Sequence, residues 1–99
     1  MAYLESQINI SSKRKAKQYL QDSKSSLQFH QVYLVYKFLD TPIQHITEGL
    51  RSKSRDEVRS FYKSIAKQLH PDKNSHPLAK EAFQKILGAK MNRWILYIF

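Results

Sequence analysis

Three features of the sequence predict an all-α fold built around a helical hairpin. Val58, Phe61, Tyr62, Ile65 and Leu69 recur at helical spacing and make one apolar face, while Arg59, Lys63 and Lys67 stack four apart on another. After Pro77 a second pattern, Ala79, Ala82, Phe83, Ile86 and Ala89, again gives one face of a helix, able to pack against the first. Between the two stands His70-Pro71-Asp72. Pro71 lacks a backbone N–H and pushes the residue before it away from helical dihedrals, so the first helix stops at about His70 and the turn displays His70 and Asp72.

The totals agree with helix. With 2 Gly and 3 Pro among 99 residues, neither a β-rich architecture nor a disordered chain is favoured. A chain of this length makes one domain with a modest core. Seventeen basic residues against eight acidic ones give a net charge of +9, which favours anionic partners: nucleic acid, an anionic membrane surface or an acidic protein patch. The 0 Cys exclude a disulfide framework and a thiolate metal site. No basic segment followed by an apolar run stands at the N-terminus, and no stretch approaches the roughly 20 apolar residues that span a bilayer, so the chain reads as soluble or peripheral.

In chain order, residues 1–12 are expected to be frayed, with Ser11 or Ser12 as an N-cap. Lys13 to Lys24 is helix-permissive, with a narrow inner face of Ala16, Tyr19, Leu20 and Ser23 against Lys13, Arg14, Lys15, Lys17 and Lys24; the basic cluster is read as a solvated helix face ahead of a targeting signal or a phosphate-binding patch. From Leu27 to Leu39 the β-branched and aromatic residues would suit a strand, yet Val32, Tyr36 and Leu39 follow helical spacing and no partner strand exists. Helix is therefore expected at about 27–39. In the insertion at about 40–55, Thr41-Pro42 opens a short helix with Ile43, Ile46 and Leu50 inward and Gly49 helping to end it. Ser54 is placed to N-cap the next helix, at about 56–69, with Glu57 completing a capping box. The last helix is expected at about 78–93 and an apolar tail at 94–99.

The run from Asp56 to Asn74, with Ala82-Phe83-Gln84-Lys85-Ile86, closely resembles helices II and III of the J domain of DnaJ-type co-chaperones. Within that family the loop Asn74-Ser75-His76-Pro77 is most similar to eukaryotic members anchored in the endoplasmic reticulum membrane. The resemblance divides the chain into a basic extension, 1–26, and a J domain, 27–99, in which Tyr36-Lys37-Phe38-Leu39 resembles the signature of helix I. A second register, with helix I at Ile43 to Leu50, restores the usual loop length but puts Thr47 and Glu48 at apolar positions. The C-terminal end departs from the pattern: Lys90, Asn92 and Arg93 replace a Tyr and aliphatics, and the usual short fourth helix is absent. The closing 94–99 segment either packs onto the groove that this leaves or marks a truncated anchor or altered reading frame.

The resemblance implies a partner, a DnaK-type seventy-kilodalton heat-shock chaperone, whose ATPase domain receives the basic face of helix II. It also implies that the turn promotes ATP hydrolysis by that partner. The residues carried over are His70, Pro71, Asp72, Arg59, Tyr62, Lys63, Lys67, Lys73 and Asn74, and Ser64 stands where many members have Arg or Lys. Unfolded client protein and peripheral membrane contact belong to the same reading, with a cytoplasmic location, at the cytosolic face of the endoplasmic reticulum. Nucleic acid is the main alternative: a J-like domain that has lost activity would serve as a basic module for nucleic acid or membrane. The aromatics, however, lie on apolar faces, where a core role outweighs base stacking. Catalysis is not expected, because His70 and Asp72 flank a proline and no nucleophile or oxyanion hole accompanies them. Neither a metal nor a cofactor is expected: the four His form no i, i+4 pair, and no glycine loop cradles a phosphate.

Overall fold

The computed structural model describes the backbone of residues 2–98 and the side chains of residues 5–89. Five helices follow one another: α1 (Ala2–Ser23), α2 (Phe29–Asp40), α3 (Ile43–Arg51), α4 (Arg55–Leu69) and α5 (Ala79–Ile98). The described residues contain no strand. α2 packs on both α4 and α5, α3 packs on α5, and α1 packs on α2. The core joins Leu34, Val35 and Phe38 of α2, Ile46 and Leu50 of α3, Val58, Ile65 and Leu69 of α4, and Ala79, Ala82, Ile86 and Ala89 of α5. The expected apolar faces of the hairpin thus meet, through α2 as well as directly.

The segment expected at 27–39 is helical from Phe29 to Asp40, as periodicity rather than β propensity indicates, with Leu27 and Gln28 preceding the helix. Its Val32 and Val35 are fully buried, so packing outweighs the small helix penalty of β-branched side chains. At its C-terminal end, where the last carbonyls lack intrahelical partners, the Lys85 ammonium of α5 donates to the Leu39 carbonyl at 2.8 Å. Burial lowers the Lys85 pKa, and the nearby Asp40 carboxylate partly opposes that shift.

Four expectations are corrected. Residues 2–12 are not frayed but form the first half of α1, and Ser11 and Ser12 lie inside the helix. The inner face of α1 is Ile8, Ser12 and Ala16, four apart, while Ser23 is exposed. Two small side chains in that row allow close approach to α2, and this contact supplies what the intrinsic propensity of the segment lacks. In α3, Ile46 and Leu50 point inward but Ile43 is exposed, and the helix runs past Gly49 to a Ser52 cap. Finally, α5 has no break at residue 93: its backbone stays helical to Ile98, because nothing after Gly88 is a helix breaker. Gly88 itself lies within this helix, and an added Cβ would meet nothing within 4 Å. Whether the 94–99 side chains pack onto the core lies outside the described residues.

Candidate functional site

The site begins with a well-specified helix. Ser54 Oγ accepts the Glu57 N–H and Glu57 Oε1 accepts the Ser54 N–H, each at 3.2 Å, which is the expected capping box. Those bonds hold the Glu57 carboxyl below its ordinary pKa. Arg59, Lys63 and Lys67 are exposed along α4, and Val58, Ile65 and Leu69 are buried beneath them. His70 ends the helix with extended dihedrals, φ −57° and ψ 133°, as its position before proline requires.

From there the chain turns tightly. The His70 carbonyl accepts the N–H groups of Lys73 at 2.8 Å and Asn74 at 2.9 Å. His70 Nδ1 accepts the Asp72 N–H at 3.1 Å, so this nitrogen acts as an acceptor and offers no N–H to the Asp72 carboxylate 3.6 Å away. The imidazole therefore orients the turn, and the Asp72 side chain, 88% exposed, remains available to a partner. Phe83 of α5 lies beneath: its ring meets the His70 ring edge-on at 5.4 Å and the Tyr62 ring at 6.0 Å.

Behind the turn lies a buried polar knot. Asn74 is 1% exposed, and its Nδ2 donates to the Gln68 carbonyl at 2.8 Å and the Gln31 carbonyl at 3.3 Å. Gln68 is in the last turn of α4, so the Asn74 amide satisfies a carbonyl that the helix cannot. Asn74 Oδ1 accepts the His76 N–H at 3.0 Å. His76 Nδ1 in turn accepts the Leu78 N–H at 3.0 Å, which leaves Nε2–H to donate to the Tyr36 hydroxyl at 3.1 Å. The His76 ring also packs at 4.2 Å on Tyr19 of α1. Burial lowers the His76 pKa and raises that of Tyr36, so both stay neutral.

Of the expected site residues, the fold brings Tyr62, Lys63, Lys67, His70, Asp72 and Lys73 around one shallow concavity of about 430 Å³. Arg59 lies further up α4, two turns before Lys67, and Pro71 is exposed on the turn. Asn74 stands apart from these: its side chain faces inward, and its amide is bonded to Gln68, Gln31 and the His76 N–H within the protein. Two contributors went unseen in the sequence. Phe83 is legible there as an apolar position, but its place under His70 is not. Gln31 lies more than 40 residues away in a different helix, and no motif links it to the turn. Among the described residues no group of three or more His, Asp or Glu is placed to hold a metal ion, and no helix is long and apolar enough to cross a membrane.

Comparison with known proteins falls on the same stretch. Residues 49–91 match the DnaJ domain family. A Saccharomyces cerevisiae protein, HLJ1, is 50% identical over 36 residues, which are 36% of this chain and 16% of that protein. The DnaJ protein homolog 1 of Drosophila melanogaster is 44% identical over 39 residues, 39% of this chain and 12% of its own. An uncharacterized J domain-containing protein of Schizosaccharomyces pombe is 34% identical over 58 residues, 59% of this chain and 14% of its own. The similarity therefore spans less than a fifth of each of these relatives. No solved structure matches at the same stringency. The end of α3, α4, the His70-Pro71-Asp72 turn and the first part of α5 together make up the stretch that matches the DnaJ domain family.

Proposed function

We propose that this protein is a co-chaperone that docks on the ATPase domain of a DnaK-type heat-shock chaperone and stimulates its ATP hydrolysis. The observation that carries the reading is the pairing of an exposed, backbone-anchored Asp72 with the cationic face of α4 within the DnaJ stretch. Arg59, Lys63 and Lys67 supply a field that speeds encounter with an acidic surface and weakens with salt. Asp72 offers a carboxylate for a charge-assisted bond to a partner cation, and Pro71 stiffens its presentation. Tyr62 and Lys73 complete the contact surface. α2 takes the place of helix I, since it packs on both arms of the hairpin. The protein itself performs no bond chemistry; ATP belongs to the partner.

The loop Asn74-Ser75-His76-Pro77 supports the further reading that the protein works in the cytoplasm at the face of the endoplasmic reticulum, which localisation of the tagged chain tests. The function is tested by single-turnover ATP hydrolysis of a eukaryotic DnaK-type chaperone with this protein or its Asp72→Asn variant. Stimulation by the wild type and its loss in a folded variant are the expected results. No stimulation by a folded wild type, across the source organism's own chaperones, would replace this reading with a basic binding module for nucleic acid or membrane.

A further inference from the structure

The turn that presents Asp72 is held by a helix outside residues 49–91. Gln31, in the first turn of α2, donates from Nε2 to the Lys73 carbonyl at 3.2 Å, while its own carbonyl accepts from Asn74 Nδ2 at 3.3 Å. The clamp is reciprocal: each partner gives one side-chain donor and one backbone acceptor. Gln31 Oε1 meanwhile accepts the Gln28 N–H at 3.0 Å, which fixes the rotamer that reaches Lys73. Asp72 is thus bracketed, with its N–H on His70 Nδ1 and the carbonyl of the next residue on Gln31.

We infer that Gln31 is a positioning residue, fixing the Lys73–Asn74 peptide one residue beyond Asp72 and so making the presentation of the Asp72 carboxylate depend on α2. The inference rests on the function proposed above and adds to it a residue that touches no partner. Preorganisation of this kind acts on a docked complex by keeping the carboxylate in one geometry, and has little bearing on the cationic encounter through α4.

Two variants of the full chain test it. Gln31→Glu keeps the acceptor for the Gln28 N–H and loses the donor to Lys73; Gln31→Met loses both without adding charge. In each, amide hydrogen exchange at Lys73 and Asn74 is expected to rise about tenfold while that of the α4 interior is unchanged. Maximal stimulation of the chaperone is expected to fall several-fold, with the half-saturating concentration within about twofold of wild type. Unaltered exchange at Lys73 and Asn74 in both folded variants overturns the assignment, as does loosened exchange with unaltered maximal stimulation. A wild type that never stimulates refutes the proposed function instead, and the exchange comparison still decides whether Gln31 holds the turn.

Discussion

The two ends of the described structure settle their buried polar groups in opposite ways. Around the His70–His76 turn the buried amide and imidazole are bonded: Asn74 to Gln68, Gln31 and the His76 N–H, and His76 to Leu78 and Tyr36. In α1, Ser12 is 0% exposed and its hydroxyl has no partner among the described side chains. Satisfied networks specify one geometry, whereas an unsatisfied hydroxyl only costs stability. The contrast says that the hairpin end is tied into one defined turn by buried bonds, whereas the buried row of α1 is held by packing and its polar links, Tyr33 to Asn9 and Lys15 to Asp40, lie nearer the surface. Among the described residues, α1 supplies no member of the shared core of α2 to α5.

The largest expected effect separates presentation from stability. Asp72→Asn should abolish chaperone stimulation in the single-turnover assay while leaving the thermal midpoint within a few degrees, since the side chain is exposed and its anchoring bond is made by backbone. A variant that unfolds would show that the turn is structural and would erase the distinction drawn here.

Next comes the ring beneath the turn. Phe83 is half-buried against the core, so Phe83→Ala should cost about 2 kcal/mol, less than the truncation of a fully buried ring, measured by denaturant unfolding. Because the His70 ring rests on it, this variant should also lose stimulation beyond what its residual stability explains. Normal stimulation in the folded fraction would confine Phe83 to packing.

Acid should strike the polar knot first. The folded pKa of His76 is lowered by burial, and the unfolded chain takes up a proton at about the ordinary imidazole value of 6.5. The unfolded state thus binds more protons between the two values, so the contribution of His76 is fully present above about pH 6.5 and falls as pH drops toward the folded pKa. Thermal melts from pH 7.5 to 5.5 should show a downward slope that is shallower in His76→Gln; equal slopes would show that the imidazole does not sense acid.

The smallest expected effect sharpens the comparison from the other end. Ser12→Ala removes the unsatisfied hydroxyl and improves helix propensity, and should stabilise the chain by about 1 kcal/mol in the same unfolding measurement. A loss of stability would mean that the hydroxyl has a role in the α1 to α2 contact.

How legible was this architecture? The capping box of Ser54 and Glu57, the stop at His70 and the apolar faces of α4 and α5 were readable because each depends on residues within a few positions of one another. Likewise the helical state of α2 followed from spacing once no partner strand could be found. Less accessible was α1: its first half has mixed composition, and only contact with α2 makes Ile8, Ser12 and Ala16 an inner face. The outward turn of Ile43 and the passage of α3 through Gly49 were equally matters of how the helix sits on α5.

The candidate site divides along the same line. By itself the sequence determined a cationic α4, a break at Pro71 and an exposed Asp72, since charge spacing and proline geometry act locally. Only the tertiary structure decided that Asn74 faces inward, that Phe83 supports His70 and that Gln31 grips the turn from α2. The physical reason is that a hydrogen bond between residues 42 or 43 positions apart carries no periodic or local signature. It exists once packing brings a donor and a carbonyl together, and burial then makes leaving either one unpaired costly.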